Sequence, residues 1–494
     1  MPSRPPPLRD RAPHVVAGLP YPFALSQFDH LEPAFALTPG GPVGSTDAWS
    51  GRQLARVQAG RWVPVTSGTA WHRAPRWLGT GLAYRIFPRP ANETGQVQGC
   101  APAATAADPD PLAHPALSGL PLPTNAKVET VRTNPEAPQR VAVLLRRGPA
   151  RRLLCFGAGG TATLDAVVEL GPWISRDELV VVREKWPGML PARWHVETGE
   201  LRPLLAQGTA VVAPVIADVQ RCGEMIGFSW TSSRQPRRIE LFERQEILAG
   251  PALPLRPDTP CGPVPGPARA TLVAGRRSVL PCLTYEPHQR PRGTVVLLHG
   301  GPHGSHRATW SPLADSLALE GWRVVLPNIR GSGLLDPAVR PPRPARYGLD
   351  DLEDVATVIS RFGTGPVVLG GPSYGGYLAA RAARELPEVR AVFLLGAFLA
   401  VADLAGVAHP AVRAFLRTAG DSFVPDSPPA RVPHFVAHGS EDPRIPVTAV
   451  TAHADQLVDG SEVLVIPGEG HGVQTDAAAR LVFPALFTWL ANHG

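Results

Sequence analysis

The chain has 494 residues, of which 44% are hydrophobic and 18% charged, with a formal net charge of +6. This length allows two substantial domains, and no segment approaches the 18 consecutive apolar residues of a membrane-spanning helix. The basic residues are dispersed arginines without a dense run or aromatic interleaving, so we expect neither a nucleic acid nor a membrane as a partner.

The N-terminus, residues 1 to 10, is positively charged, but no apolar segment follows it. We therefore expect no secretory signal and a cytoplasmic location. The cysteines are scattered and odd in number, without the spacing of a metal site or a disulfide framework. We expect small buried or partly buried side chains at these five positions: Cys100, Cys155, Cys222, Cys261 and Cys282.

Short apolar runs without a convincing amphipathic helix characterise residues 1–250. Three runs begin at Arg140, Leu179 and Glu224, which are 39 and 45 residues apart, and each is followed by a second strand-like run. A period of ~40 to 45 residues is typical of propeller blades. We predict an all-β, small or degenerate β-propeller domain of roughly six blades, with residues 95–125 as a long loop outside any blade.

Seven prolines between residues 251 and 267 mark the clearest boundary in the chain. Such a segment favours an extended linker. Beyond it, residues 269–286 resemble a β-hairpin. The rest of 268–494 alternates apolar strands with helical stretches, which predicts a mostly parallel sheet of the α/β class. The strands are expected near residues 294, 324, 367, 391, 434 and 462.

A glycine-flanked serine, Ser373, stands between the apolar strand that begins at Val367 and a helix-prone stretch. The spacing G-x-S-x-G indicates a nucleophile elbow, in which a strained strand-to-helix turn projects the serine hydroxyl above the edge of the sheet. The glycines on either side allow neighbouring backbone to approach closely. We therefore predict an α/β hydrolase with Ser373 as its nucleophile.

Two further residues complete a predicted triad in the chain order Ser, Asp, His. Asp442 follows the buried strand of residues 434–438, and His471 lies in a glycine-rich loop after the strand that begins at Glu462. His471 would take the Ser373 proton and return it to the leaving group, while Asp442 would fix the imidazole tautomer. This chemistry requires no metal or cofactor.

Backbone donors for a tetrahedral oxyanion are predicted at two places. One is the amide of Tyr374, and the other is the amide of Gly301 within His299-Gly300-Gly301-Pro302-His303-Gly304, which follows an apolar strand. Each donor in such a site typically contributes ~3 kcal/mol. Pro302 has no N–H and cannot be the donor.

These motifs occur in one order over residues 268–494 that resembles the prolyl oligopeptidase family of serine peptidases. The resemblance includes His299 to His303, Arg330-Gly331-Ser332, Ser373-Tyr374-Gly375-Gly376-Tyr377 and Gly468 to Gly472. The HGGPH and SYGGY forms are most similar to the acylaminoacyl-peptidase and dipeptidyl-peptidase-like branch. The resemblance implies a peptidase for short peptides that are admitted past a propeller, and it makes a homo-oligomer a possible assembly.

The chain departs from the family pattern at the elbow, at the segment after Gly333 and in its short N-terminal half. Pro372, directly before the nucleophile, fixes φ and removes a donor at a strained turn. Two rival functions remain open. One is a carboxylesterase with the same triad, and the other is a binding protein whose elbow Pro372 has disabled.

Other polar residues of the motifs have less specific interpretations. His303 and Arg330 are candidates for substrate binding, although a structural role is the alternative for each. His306 is expected to be structural or pocket-lining. Asp351 and Asp354 are expected to cap the start of a helix and to be solvated there.

Overall fold

The computed structural model describes most of the chain from residue 115 onward and several separate segments before it. The described residues are 35–38, 40–46, 53–58, 61–65, 71–77, 82–87, 96–99, 115–147, 150–157, 159–205, 213–250, 255, 266, 268–404, 409–419, 422–423, 429–473 and 475–494.

Antiparallel sheets make up the N-terminal β region, residues 35–243. The described part contains a sheet of β1 to β4, a sheet of β5 to β7, a sheet of β8 to β11, and a seven-stranded sheet of β12 to β18. The strands are β1 Phe35–Thr38, β2 Gly41–Thr46, β3 Gln53–Gln58, β4 Arg61–Pro64, β5 Trp71–Trp77, β6 Leu82–Phe87, β7 Gln96–Gly99, β8 Lys127–Asn134, β9 Ala137–Arg147, β10 Ala150–Gly157, β11 Gly160–Asp165, β12 Val167–Trp173, β13 Glu178–Lys185, β14 Gly188–His195, β15 Leu201–Pro203, β16 Val215–Cys222, β17 Met225–Ser232 and β18 Gln235–Glu243.

This β region confirms the predicted all-β class and is consistent with a propeller-like domain. The apolar runs at 140–145 and 179–183 lie in β9 and β13, and the run at 224–228 continues into β17, which begins at Met225. The expected long loop over residues 95–125 is wrong at its start, because β7 pairs with β6 there. The last sheet also joins two antiparallel groups through one parallel bridge, Met189 to Val215, rather than separating them into blades.

An eight-stranded sheet forms the centre of the α/β region, residues 268–494, in the order β19-β20-β22-β21-β23-β24-β25-β26. The first two strands are the predicted hairpin, and β21 to β26 are parallel to one another. The strands are β19 Arg269–Ala274, β20 Val279–Tyr285, β21 Gly293–Leu297, β22 Trp322–Pro327, β23 Val367–Pro372, β24 Val389–Leu395, β25 His434–Gly439 and β26 Glu462–Ile466.

Helices cover both faces of this sheet, as apolar parallel strands require. Val296 and Leu298 face one layer with α3 and α4, whereas Val295 and Leu297 face the other with α2 and α7. This alternation follows from the period of two along a strand. The helices are α1 Arg244–Ala249, α2 Pro312–Leu319, α3 Asp350–Phe362, α4 Tyr374–Glu385, α5 Pro410–Ala419, α6 Thr448–Thr451 and α7 Asp476–His493, with short 3-10 helices at Pro115–Leu117, Ala402–Leu404 and Ala454–Gln456.

Helix α3 shows how the sequence pattern produces this layer. Val355, Val358, Ile359 and Phe362 recur at spacings of three and four residues, and all four are buried. Full burial of such a side chain is worth ~1.5 to 3 kcal/mol. The apolar stripe therefore fixes α3 against the sheet and brings its N-terminal acidic residues close to the helix α4 that follows Ser373.

Most of the predicted linker, residues 251–267, lies outside the described residues. Leu255 is described and is buried in the apolar core of the N-terminal β region. Among the described cysteines, Cys155 and Cys282 are buried and Cys222 is partly buried, as expected. In the described residues, no helix combines the length and apolar character needed to cross a membrane.

Candidate active site

The strand order places two chain segments side by side at the carboxyl edge of the sheet. The connection from β21 leads to β22 on one side, whereas β23 pairs with β21 on its other side. Such a reversal opens a crevice at the ends of the strands, where α/β proteins bind their ligands. The segment after β21 carries Gly301, and the turn after β23 carries Ser373.

Ser373 occupies the predicted nucleophile elbow. Its backbone lies at φ 52° and ψ −124°, between the end of β23 and the first residue of α4. A positive φ is uncommon for a side-chain-bearing residue and characterises the strained elbow. The Ser373 N–H donates to Leu395 O at 3.1 Å, which ties the turn to the neighbouring strand β24.

Two glycines make this turn possible. A Cβ atom on Gly371 would lie 2.1 Å from Leu298 O, and one on Gly375 would lie 2.3 Å from the same oxygen. Both distances are far below van der Waals contact, so only glycine fits at either position. The G-x-S-x-G spacing thus reflects the approach of the end of β21 to the elbow.

Pro372 is compatible with the elbow. It is the last residue of β23. The hydrogen bond to Leu395 O is donated by the backbone N–H of the next residue, Ser373. The missing proline N–H therefore does not remove this bond. Pro372 therefore leaves the bond between the elbow and β24 in place.

Asp442 and His471 form a hydrogen-bonded pair at the ends of β25 and β26. His471 Nδ1 lies 2.8 Å from Asp442 Oδ2, and the Asp442 side chain is 0% exposed. The other carboxylate oxygen, Oδ1, accepts from the backbone N–H groups of Arg444 at 2.8 Å and Ile445 at 3.0 Å. This fixed carboxylate holds the proton of a neutral imidazole on Nδ1 and leaves Nε2 as the basic nitrogen.

The loop that carries His471 is held by a residue that the sequence analysis did not identify. Glu469 is 2% exposed, and its carboxylate accepts from Thr475 Oγ1 at 2.6 Å. Thr475 Oγ1 in turn accepts from Ala478 N–H at the start of α7, at 3.1 Å. A threonine at a helix N-cap was the available signal. This connection fixes the histidine loop to the last helix of the chain.

An apolar pocket of about 150 Å³ lies beside the residues of the predicted triad. Ser373 and His471 both line it, together with the two predicted oxyanion donors, Gly301 and Tyr374. Gly301 has φ +135°, and a Cβ atom there would lie 2.3 Å from His303 N. The remaining lining residues are largely apolar and were not identified from the sequence: Phe398, Leu404, His409, Val412, Phe415, Phe423, Arg444 and Ile445.

The side chain of Tyr374 is fixed by a carboxylate at the start of α3. Its hydroxyl donates to Asp351 Oδ2, and both residues are buried. Burial raises the pKa of Asp351 from 3.8 to about 6. The expectation that Asp351 and Asp354 are solvated is therefore wrong, because α4 and the segment after β22 cover this end of α3.

Arg330 is part of a buried ion-pair network. It is 3% exposed, its guanidinium donates to Asp354 at 2.9 to 3.1 Å, and it reaches Glu353 at 2.9 Å. Arg330 is not among the described residues that line the pocket. These contacts favour the structural alternative for Arg330, since acidic side chains accept from its guanidinium.

The three histidines near the oxyanion segment are structural in their contacts. His303 Nδ1 lies 3.0 Å from Gly331 O, and its ring packs edge-on against Phe415, behind the pocket wall. Burial lowers the pKa of His299 to about 4 and that of His306 to about 3. Both are neutral at pH 7 and unsuited to act as general acids there. In the described residues, no group of His, Cys, Asp and Glu could hold a metal ion.

The fold and the site define an α/β hydrolase. A family model described as the alpha/beta hydrolase fold matches residues 293–431, which include the elbow and the predicted oxyanion segment.

Comparison with known proteins narrows this class. The acylamino-acid-releasing enzyme of Sus scrofa is 31% identical over 116 residues, which cover 22% of this chain and 16% of that protein. Its counterpart from Rattus norvegicus is 24% identical over 227 residues, covering 40% and 31%. The chain thus matches less than one third of the length of either relative.

A solved structure extends the likeness to the whole fold. The puromycin-hydrolyzing peptidase of Mycobacterium tuberculosis has a TM-score of 0.58 at 15% identity, covering 93% of this chain and 78% of that one. At this identity the likeness concerns the fold. Together with the sequence matches, this shared fold agrees with the resemblance to the prolyl oligopeptidase family of serine peptidases that the motifs carry.

Proposed function

We propose that the protein is a serine peptidase that hydrolyses short peptides, as an oligopeptidase or an acylaminoacyl-peptidase-like enzyme. The observation that carries the proposal is the pocket that Ser373 and His471 both line, with His471 hydrogen-bonded to the buried Asp442. The relatives support the same reading, since those named above release acylated amino acids or hydrolyse puromycin.

The reaction follows from the roles of the three side chains. Ser373 Oγ attacks the substrate carbonyl carbon while His471 Nε2 accepts its proton, and Asp442 stabilises the imidazolium that forms. His471 then donates that proton to the leaving amine, which leaves an acyl-enzyme on Ser373. Water, deprotonated by His471, attacks the ester carbon, and the acid departs as Ser373 regains its proton.

The developing oxyanion is proposed to lie between the backbone N–H groups of Gly301 and Tyr374. Both residues line the same pocket as the nucleophile. Fixed donors of this kind need no reorganisation as the charge forms, which is why one such donor is typically worth ~3 kcal/mol of barrier. The buried bond from the Tyr374 hydroxyl to Asp351 keeps the start of α4 in place.

The apolar pocket wall defines the proposed substrate preference. Aromatic and aliphatic side chains such as Phe398, Phe415 and Ile445 surround the space beside Ser373. A substrate with a large apolar side chain at the attacked carbonyl would displace water from this wall, whereas a charged side chain would be desolvated there. We therefore expect phenylalanyl substrates to be preferred over glutamyl ones.

A panel of chromogenic substrates tests this function. It comprises the p-nitroanilides of N-acetyl-phenylalanine, N-acetyl-glutamate and glycyl-phenylalanine, and p-nitrophenyl acetate, each with the wild type and Ser373→Ala. We expect cleavage of the N-acetyl-phenylalanine anilide, at least tenfold slower cleavage of the glutamate analogue, and a loss of roughly a thousandfold or more in the variant.

The other outcomes decide between the alternatives. Faster cleavage of the free glycyl-phenylalanine anilide would indicate a dipeptidyl peptidase, and ester cleavage without any anilide cleavage would indicate a carboxylesterase. Silence on all substrates would contradict the proposal and favour a binding protein. A cytoplasmic location and a homo-oligomer remain predictions from the sequence.

A further inference from the structure

A buried carboxylate of the N-terminal β region reaches into the α/β region. Glu184 lies near the end of β13, beside the hairpin turn to β14, and its side chain is 0% exposed. It accepts hydrogen bonds from Arg307 Nε and from the backbone N–H of Leu335, and another from Asp336 N–H at 3.0 Å. All three donors belong to the α/β region.

This arrangement is costly unless it is fully compensated. A buried carboxylate loses its hydration, so it must be paired and hydrogen-bonded to be tolerated. Glu184 obtains a guanidinium and two backbone donors from segments more than 120 residues away in the chain. The Glu184 carboxylate of the N-terminal β region is therefore compensated entirely by donors of the α/β region.

The contacts of Arg307 continue from Glu184 towards the oxyanion loop, defined here as residues 299–304. Arg307 Nη1 donates to Ser305 Oγ at 2.6 Å, and Nη2 donates to Gly333 O at 3.3 Å. Gly333 N–H then donates to Gly304 O at 2.8 Å, and Gly304 N–H donates to Gly300 O at 3.1 Å. This series of bonds ends beside Gly301, a predicted oxyanion donor.

The same hairpin makes further bonds to the segments on either side. Pro187 O accepts from Ala308 N–H at 2.9 Å, and the Trp186 indole N–H donates to His306 O at 3.2 Å. The Trp186 backbone N–H donates to Asp336 Oδ2 at 3.1 Å. The hairpin tip thus binds both the segment that leaves the oxyanion loop and the segment of Leu335 and Asp336 that packs beside it.

We propose that Glu184 is a positioning residue for the oxyanion loop, through which the N-terminal β region takes part in the reaction. The inference rests on the proposed function, because it assigns a role to Gly301 in that reaction. Glu184 does not line the pocket described above, so it acts through Arg307 and the backbone rather than on the substrate. Since catalysis depends on donors held in place, loosening this contact should weaken transition-state binding more than substrate binding.

The test compares Glu184→Ala and the near-isosteric Glu184→Gln with Glu178→Ala as the matched control. Glu178 lies on the same strand but pairs with Arg193 inside the N-terminal β region, at 3.7 Å. The full-length proteins are assayed for kcat and KM on the N-acetyl-phenylalanine anilide. Affinity for a boronic-acid analogue of that substrate, which mimics the tetrahedral intermediate, and thermal unfolding are measured in parallel.

We expect kcat to fall at least tenfold in Glu184→Ala, with KM changed less than threefold and boronate affinity weakened in proportion to kcat. Glu184→Gln, which keeps an acceptor, should fall in between, and Glu178→Ala should resemble the wild type. In an Arg307→Ala background, Glu184→Ala should have a much smaller effect, because the two residues act through one connection.

Two results would overturn the proposal: an unchanged kcat in a folded Glu184 variant, or losses that only follow the unfolded fraction. If Glu184→Ala does not fold, Glu184→Gln decides by the same criteria. Labelling of wild-type Ser373 by a fluorophosphonate separates this failure from failure of the proposed function. A labelled, anilide-cleaving wild type with insensitive Glu184 variants rejects the positioning role alone, whereas an unlabelled, inactive wild type rejects both.

Discussion

Tyr374 serves the site through both its backbone and its side chain. Its N–H is a predicted oxyanion donor next to Ser373, and its hydroxyl donates to the buried Asp351. Burial raises the pKa of the tyrosine as well as that of the aspartic acid, so the phenol keeps its proton at neutral pH. A single side-chain bond thus holds the start of α4, where the predicted oxyanion donor lies.

Tyr374→Phe tests this bond, because it removes only the hydroxyl group that donates to Asp351. Removing the hydroxyl leaves the Asp351 carboxyl buried without this donor, which typically costs ~1 to 3 kcal/mol. We expect kcat for the anilide to fall roughly tenfold, about 1.4 kcal/mol, because the start of α4 becomes less well fixed. Steady-state kinetics and thermal unfolding measure this change.

Asp351→Asn is the companion variant, since its side-chain oxygen still accepts from Tyr374. Its effect on kcat should be smaller than that of Tyr374→Phe. A Tyr374→Phe protein as active as the wild type would contradict the role of this bond in fixing the start of α4.

The sequence allows prediction of residues whose role depends on local position. Ser373, Asp442 and His471 could be placed because each follows a strand end, and the structure brings Asp442 and His471 to hydrogen-bonding distance. Asp351 and Arg330 could not be resolved in the same way. Their burial depends on helices and loops that pack over them from distant parts of the chain, and no local pattern encodes this.

At the scale of elements, the elbow depends on how closely β21 approaches β23 and α4. Leu298 O, directly after β21, lies where a side chain at position 371 or 375 would have to be. The glycines are therefore a consequence of the strand order, in which β21 and β23 are neighbours. The strained Ser373 backbone is maintained by these tertiary contacts.

Gly371→Ala should disrupt this packing. The new Cβ atom would lie 2.1 Å from Leu298 O, so either the strand or the elbow must shift. We expect a loss of about 2 kcal/mol or more in the free energy of unfolding, as is common for overpacked sites, together with loss of anilide cleavage. Urea unfolding and activity assays measure both.

Gly159→Ala is the control for this variant, because a Cβ atom there would meet nothing within 4 Å. It should remain close to the wild type in both measurements. A Gly371→Ala protein with wild-type stability and activity would contradict the steric account of the elbow.

The pocket elements show what sequence periodicity cannot supply. The lining residues come from the segment after β24, from α5 and from the turn after β25. Each segment has an unremarkable apolar composition by itself. Only the strand order brings them together beside Ser373. The proposed substrate preference therefore could not be predicted from the sequence.

At the scale of the whole molecule, both regions contribute to the area around α2. Asp315, in the first turn of α2, is 4% exposed and accepts a hydrogen bond from the Trp310 indole, with Arg234 of the N-terminal β region nearby. Trp310 N–H also donates to Thr231 Oγ1 at 3.3 Å. Burial raises the pKa of Asp315 from 3.8 to about 8.

This carboxyl predicts a pH dependence of stability. Between pH 3.8 and about 8 the folded protein holds a proton that the unfolded chain has released. The free energy of unfolding therefore decreases as pH rises through this window, by up to about 1.4 kcal/mol per pH unit. Asp315→Asn has no titratable carboxyl at this position. Its free energy of unfolding should therefore fall less than that of the wild type between pH 6.5 and 8.

Urea unfolding of both proteins at several pH values measures the difference. From pH 6.5 to 8 the wild type should lose more free energy of unfolding than Asp315→Asn does. The variant should therefore become more stable relative to the wild type as the pH rises. Parallel curves over this range would show that Asp315 does not hold the proton.

The sequence predicts more of the architecture of the α/β region than of the N-terminal β region. The strands and helices of residues 268–494 follow from apolar runs bounded by turns, because a buried parallel strand has a distinct composition. The N-terminal β region was predictable as all-β, but its sheets were not. The joining of β14 to β16 depends on one long-range contact, and the bonds of Glu184 to the α/β region likewise connect residues distant in sequence.

The most direct test of the account is covalent labelling with a fluorophosphonate, followed by intact mass and peptide analysis. We expect one adduct per chain on Ser373, none in Ser373→Ala, and much slower labelling in His471→Ala. A wild-type protein that remains unlabelled, or a Ser373→Ala variant that is labelled at the wild-type rate, would contradict the assignment of Ser373 as an activated nucleophile.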